Sequence, residues 1–275
     1  VHMIEVEEMT IEQVRDLLDR GELTSKALVM FYLERIAKYD KGERGLNAIL
    51  ELNPEALQMA DQLDEERKQC GSRSILHGIP ILIKDNISTK DHMHTSGGSL
   101  ALADLYVPFD AFIIKKLRAS GAILLGKTNM GELMNFMSYT MPDGYSSRGG
   151  QVNNPYNRRL TPSGSSSGSA VAVASNLAMA AIGTETNGSL TMPARYNQLV
   201  TIKPTVGLVS RQGIMPISYY QDTPGPMARN VADATILLEA IVGRDEQDEL
   251  TDRSMGRIPK SYREELGKDI NGKRI

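Results

Sequence analysis

An α/β fold, with strands paired in parallel and helices covering the sheet, is what this sequence predicts, and three observations carry the prediction. Ile79-Pro80-Ile81-Leu82-Ile83 and Ala122–Leu125 are short apolar runs of the kind that form buried strands. Between them, residues 110–120 have a helical pattern with Phe112, Ile113 and Leu117 on one side. Strand, helix and strand in that order suit parallel pairing across a helical crossover.

The N-terminal quarter is helical. Thr10 followed three residues later by Gln13 forms a capping box. Ile11, Val14, Leu17 and Leu18 then mark one apolar face, and Gly21 ends the helix. A second helix runs from about Thr24, with Leu28, Val29, Tyr32, Leu33 and Ile36 inward. A third, strongly charged and amphipathic, follows Pro54 from Glu55 to about Lys68. After the two central strands, residues 138–169 are rich in Gly, Ser, Asn and Pro. A small-residue helix pattern, Ala170–Leu177, follows at once, so this stretch is expected to be an ordered loop rather than a linker. Ala180–Gly183 and Leu199–Lys203 are further strands. A helix at about Val231–Val242 carries Ala234, Leu238 and Ile241 on one side, and from Arg244 the chain is charged and loop-like. There is no internal repeat.

Composition narrows the function. The 275 residues are 41% hydrophobic and 24% charged, with a net charge of −3. No long basic patch points to nucleic acid. No window approaches the roughly 18 apolar residues of a membrane span; the most apolar stretch, Ala170–Ile182, is interrupted by Ser175 and Asn176. No secretory signal opens the chain, and Val1-His2-Met3 reads as a cloning remnant before a native start at Met3. The single cysteine, Cys70, forbids an intrachain disulfide and fits a reducing cytoplasm. It ends a polar helical pattern with no histidine beside it, so a surface or half-buried thiol is expected, not a nucleophile. With no Trp and four Phe, the core must be built from Leu, Ile, Val, Ala and Met.

Three segments offer chemistry: Ile83-Lys84-Asp85-Asn86, Ser163-Gly164-Ser165-Ser166-Ser167-Gly168-Ser169, and Gly183-Thr184-Glu185-Thr186-Asn187-Gly188-Ser189. Each alone is ambiguous. A lysine at a strand end is either solvated at the rim or trapped inside. The Gly/Ser segment suits a flexible turn or a phosphate cradle, but it lacks the Gly-Lys-Ser/Thr ending of a P-loop. Gly188 permits a backbone that aims N–H groups into a site beside Ser189. Among the histidines, His2 falls in the remnant and His77 precedes the Lys84 strand. His92 and His94 form a His-x-His pair without an HExxH or CxxC partner, so loop histidines are expected, with a place at the substrate entrance left open. No metal site is expected.

Taken together, the segments resemble the amidase signature family. Pro162 to Ser169 is similar to its Pro-Gly-Gly-Ser-Ser-Gly-Gly-Ser core, and Gly183 to Ala194 to its Gly-Thr-Asp-Thr-Gly-Gly-Ser-Ile-Arg-x-Pro-Ala element. Ile202-Lys203-Pro204-Thr205 with Gly207, Ser210-Arg211, and Asp222 to Arg229 resemble the segments that follow. Gly78-Ile79-Pro80 leading to Lys84-Asp85, and Gly126 to Met130, resemble earlier ones. The two key serines stand 24 positions apart, the spacing that the family uses. The motifs run in order over residues 75–243, preceded by the helical region at about 8–70, within one domain over 1–275.

The resemblance implies a mixed, largely parallel twisted sheet sandwiched between helices. It implies hydrolysis of a carboxamide to acid plus ammonia or amine, without a cofactor. Ser189 falls on the nucleophile, Ser165 on a bridging serine with a cis peptide bond, and Lys84 on the base. The backbone N–H groups of Thr186, Asn187, Gly188 and Ser189 fall on the oxyanion hole. Ser166, Asp222 and Arg195 are the candidates for the substrate pocket. A serine hydroxyl needs a base to become a good nucleophile, and a lysine serves as one once burial favours its neutral form. Ser163 and Ser167 stand where the family has glycines, and Asn187 where it has a glycine or an acid. Arg195, Tyr196 and Gln198 are bulkier than the family's usual residues, and Thr201 stands where a glycine is common. The alternatives are a glutaminase subunit of an aminoacyl-tRNA amidotransferase, which needs protein partners, and an inactive binding or structural module of the same fold. Family members are longer than this chain, and Gly272-Lys273-Arg274-Ile275 resembles the start of their next strand. A fragment is therefore expected, one that self-associates or takes a partner chain over the exposed sheet.

Overall fold

The computed structural model describes residues 5–274. Residues 1–4, with Val1-His2-Met3 among them, and the terminal Ile275 lie outside the described residues. Helix α1 (Ile11–Asp19) opens on the capping box: Thr10 Oγ1 accepts from Gln13 N–H at 3.2 Å, and Gln13 Oε1 accepts from Thr10 N–H at 2.8 Å. Helix α2 (Ser25–Tyr39) is capped by Thr24, whose hydroxyl accepts from Ala27 N–H at 3.1 Å. Leu28, Val29, Tyr32 and Ile36 turn to the core as their spacing predicts, while Leu17 and Leu33 are only half-buried. Helix α3 (Ala56–Cys70) packs on α2 and ends in an exposed, free Cys70.

Six strands form one open sheet. In chain order they are β1 (Ile49–Leu52), β2 (Pro80–Lys84), β3 (Ile123–Thr128), β6 (Ala180–Glu185), β7 (Val200–Thr201) and β8 (Thr223–Ala228). A small separate hairpin, β4 (Tyr145–Ser146) and β5 (Gly150–Gln151), orders the Gly/Ser-rich loop. The spatial order is β1-β3-β2-β6-β8-β7. The centre, β3-β2-β6, is parallel, with helix α4 (Phe112–Ala119) as the crossover between β2 and β3. The outer pairings, β1 on β3, β8 on β6 and β7 on β8, are antiparallel, which makes the sheet mixed. Helices α5 (Ser167–Ala174), α6 (Thr191–Tyr196) and α7 (Val231–Ile241) complete the layers.

Three elements depart from the sequence reading. β1 went unseen because Ile49-Leu50-Glu51-Leu52 is short and carries a charge in mid-run. β8 was hidden by Pro224 and Pro226, since proline inside a run argues against a central strand. The structure accommodates them by orientation. The Pro226 carbonyl faces the short β7 side, where it accepts from Thr201 Oγ1 at 2.8 Å and from Ile202 N–H at 3.4 Å. The proline nitrogen lies on the same side, so the ladder to β6 loses no donor there. α6 is a single short helix entered through Pro193, below the length at which periodicity shows.

α5 positions the site. Its residues are Ser, Gly, Ala and Val, and Ser167 through Val173 are buried. Such small side chains let a helix lie across β2, β3, β6 and β8 at close range. One apolar cluster runs through the molecule from Val6 to Val242. The segment from Arg244 is not plain loop: it contains 3₁₀ turns at Glu249–Ser254 and Arg263–Glu265. Residues 272–274 form no strand. No described helix is long and apolar enough to cross a membrane.

Candidate active site

Lys84 ends β2, a strand whose five residues are all buried, and its own side chain is fully buried. The interior alternative for this lysine is therefore the one the structure takes. Its Nζ lies 2.7 Å from Ser165 Oγ, 3.0 Å from Ser166 Oγ, 2.9 Å from Thr184 Oγ1 and 3.3 Å from the Thr184 carbonyl. None of these oxygens is a carboxylate. Loss of water pushes the Lys84 pKa well below that of an ordinary lysine, and the charges of Glu185 and Asp222 pull it only part of the way back. Burial thus favours the neutral form of an amine that is aimed at a serine hydroxyl.

Ser165 follows a cis peptide bond from Gly164. Its carbonyl accepts from Gly131 N–H at 3.0 Å, which ties the loop to the segment after β3. Ser166 corrects the sequence reading. It was a pocket candidate, but it is fully buried and braces the loop to β6. Its hydroxyl donates to the Thr184 carbonyl at 3.0 Å and accepts from Thr184 N–H at 3.2 Å. This approach requires a glycine opposite: a Cβ on Gly183 would stand 2.7 Å from Ser166 Oγ and 2.7 Å from Leu190 Cδ2.

Ser189 sits half-buried on the turn between β6 and α6. Its carbonyl accepts from Ser166 N–H at 3.3 Å, so the turn and the Gly/Ser loop meet at this point. Glu185 folds the turn: its Oε2 accepts from Leu190 N–H at 2.8 Å, Thr191 N–H at 2.9 Å and the Thr191 hydroxyl at 3.1 Å. Burial works to raise the Glu185 pKa, but the N–H groups of Thr191, Leu190 and Gly188 outweigh it and hold the carboxylate below its usual range. Gly188, at a φ of +81°, thus turns its N–H toward Glu185. The N–H groups of Thr186, Asn187 and Ser189 have no acceptor among the described residues. Asn187 is exposed and has no positive φ, so a glycine is not required there.

A cavity of about 490 Å³ abuts this turn through Thr184, Glu185 and Thr186. Asp222, a pocket candidate, lines it and is held by Thr186 Oγ1 at 2.5 Å, Ile217 N–H at 2.7 Å and Ser218 N–H at 2.9 Å. Arg195 does not line it. That side chain is exposed on α6, 6.0 Å over the Tyr196 ring, because its helix turns it to solvent. Of the histidines, His77 is buried against the Leu63 carbonyl at 2.8 Å. His94 pairs with Glu51 at 2.8 Å and stacks on Tyr106, and neither it nor His92 lines the cavity. Among the described residues, no three of His, Cys, Asp and Glu are grouped to hold a metal.

The sequence reading missed Thr184, Asn86 and Glu185. Thr184 Oγ1 is shared between Lys84 and the Asn86 side chain, whose Nδ2 donates to it at 3.0 Å. Asn86 stands two residues past Lys84, and Glu185 occupies the acid position of the Gly-Thr-Asp-Thr motif. Those were the available signals.

A family model described as Amidase matches residues 27–275. A protein of Arabidopsis thaliana named as a probable amidase is 47% identical over 274 residues, covering 98% of this chain and 53% of its own length. A glutamyl-tRNA(Gln) amidotransferase subunit of Methylobacillus flagellatus is 38% identical over 266 residues, covering 97% of this chain and 52% of its own length. Among solved structures, the native peptide amidase from Stenotrophomonas maltophilia superposes with a TM-score of 0.91 at 50% identity, over 94% of this chain and 53% of that one. The chain spans about half the length of the curated relatives it matches.

Proposed function

The chain belongs to the amidase family, and on that premise we propose that it hydrolyses a carboxamide through Ser189, Ser165 and Lys84. The observation that carries this is the buried, carboxylate-free Lys84 amine at 2.7 Å from Ser165 Oγ. Lys84 takes the Ser165 proton while Ser165 takes that of Ser189. The freed Ser189 oxygen attacks the amide carbon. The negative charge that develops on the carbonyl oxygen is met by the unspent N–H groups of Thr186, Asn187 and Ser189. Losing one such donor typically costs roughly 100- to 1000-fold in rate. The proton on Lys84 returns through Ser165 to the leaving nitrogen, and ammonia or an amine departs. Water then attacks the acyl-enzyme by the same relay and releases the acid.

The likeness to the amidotransferase protein supports a second reading, a glutaminase that supplies ammonia to a partner. It is a weaker likeness, 38% against 47% and 50%. Release of ammonia from simple carboxamides by the purified chain, lost in Ser189→Ala with the circular dichroism unchanged, tests the proposal. Turnover that survives in Ser189→Ala, or that requires glutamine and a partner chain, speaks against it.

A further inference from the structure

The cavity beside the catalytic turn carries an excess of negative charge. Glu185, Asp222, Glu246, Asp248 and Glu249 line it, against a single cation, Arg211. That arginine is spent within the protein, and it neutralises Asp248, which leaves Glu185, Asp222, Glu246 and Glu249 as the excess. Its Nε and Nη2 donate to Asp248 at 2.9 and 2.5 Å, its Nη1 donates to the Tyr219 carbonyl, and the guanidinium lies 4.8 Å over the Tyr219 ring. Glu246 meets Arg244 at 3.4 Å, but both side chains are exposed, and such a contact neutralises little. Lys84 is outside the lining, and burial favours its neutral form. The rest of the wall includes apolar side chains such as Met134, Ile214, Met215 and Ile217.

We infer that this cavity selects amides whose acyl part is neutral or cationic and turns away those carrying a carboxylate. The inference rests on the amidase reading of the same site. A carboxylate entering the cavity leaves water, finds no unpaired cation among the described lining residues and faces carboxylates of its own sign. An ammonium group meets the opposite situation, and a neutral apolar acyl chain packs on the methionines and isoleucines at no electrostatic cost. A cleft lined by one sign of charge extends this bias to the approach of the ligand. The reaction product is itself a carboxylate, formed at the turn that the cavity abuts, so the same field favours its departure.

Three carboxamides of matched length separate the cases: hexanamide, 6-aminohexanamide and adipic acid monoamide. Each is titrated onto the Ser189→Ala chain by calorimetry, and turnover of each is followed with the parent chain. At ~20 mM salt, adipic acid monoamide is expected to bind at least about tenfold more weakly than hexanamide, and 6-aminohexanamide as tightly or more tightly. The gap between the two charged amides should narrow at ~500 mM salt and in the Glu246→Gln/Glu249→Gln variant. Equal or tighter binding of adipic acid monoamide overturns the inference, as does failure of all three to bind. The expected order of binding without turnover by the parent chain would sustain it and sink the amidase reading alone.

Discussion

Lys84 Nζ and Ser165 Oγ stand 2.7 Å apart in the interior, and no carboxylate is hydrogen-bonded to the lysine. A lysine in such a place can accept a proton at neutral pH because burial lowers its pKa and favours the neutral amine. Lys84→Ala is expected to lower kcat by about 1000-fold, within the usual span of general-base effects. Ser165→Ala should cost less, since a water can stand in for a relay hydroxyl. Lys84→Arg should be as inactive as Lys84→Ala, because a guanidinium does not give up its proton. The base works only when neutral, so kcat/KM should fall on the acid side as Lys84 gains a proton. A profile flat from about pH 5 to 9, with chemistry limiting the rate, would contradict a lysine base.

Gly183→Ala tests the brace between the Gly/Ser loop and β6. The added methyl meets Ser166 Oγ and Leu190 Cδ2, each at 2.7 Å. Overpacking of this kind costs about 1–3 kcal/mol. It should also displace Ser166 from Lys84 and lower turnover. Urea denaturation and ammonia release read the two effects, and an unchanged protein by both measures would contradict the close approach.

A second buried lysine gives stability a pH dependence. Lys127 Nζ donates to the Ile87 carbonyl at 2.8 Å and to Thr95 Oγ1 at 2.9 Å. Burial lowers its pKa to about 8, although Asp85 pulls the other way. In the unfolded chain a lysine keeps its proton to ~10.4. Between those values the unfolded state binds more protons, so this group raises stability as pH climbs through that window, and below it the cost of the buried charge is felt in full. Denaturation at about pH 8 and pH 9.5 should show the rise. Lys127→Met should flatten it, and falling stability in the parent chain would contradict the assignment.

Phe136, Met137, Tyr139 and Tyr220 are each more than half exposed. Phe136, Met137 and Tyr139 follow Met134, and Tyr220 follows Tyr219; both Met134 and Tyr219 line the cavity. Large apolar side chains left this exposed are of the kind found at interaction surfaces. The 275-residue chain is expected to self-associate or to take up a partner chain. Sedimentation velocity across a concentration series checks this, and a monomer at all concentrations with full activity would contradict it.

How much of this was legible in the sequence differs by residue. The α1 cap was readable because Thr10 and Gln13 act on their own backbone, so spacing alone decides it. The parallel centre was readable from β-branched runs around α4. β8 was not, because its prolines survive only through an orientation that tertiary packing sets. The catalytic candidates were visible only as a family pattern. Lys84, Ser165 and Thr184 come together from three segments that no local period relates. The glycine replacements divide. Ser163 takes a φ of +61°, the left-handed region that favours glycine, whereas Ser167 simply begins α5. Arg195, a pocket candidate and a bulky departure from the family pattern, is turned outward by helical geometry.

Covalent labelling tests the central claim most directly. The chain is treated with a fluorophosphonate, digested and mapped by mass spectrometry. The account predicts one adduct, on Ser189, absent from Ser189→Ala and formed far more slowly in Lys84→Ala. An adduct on another serine, or labelling of Lys84→Ala at the parent rate, would contradict activation of Ser189 by a buried lysine.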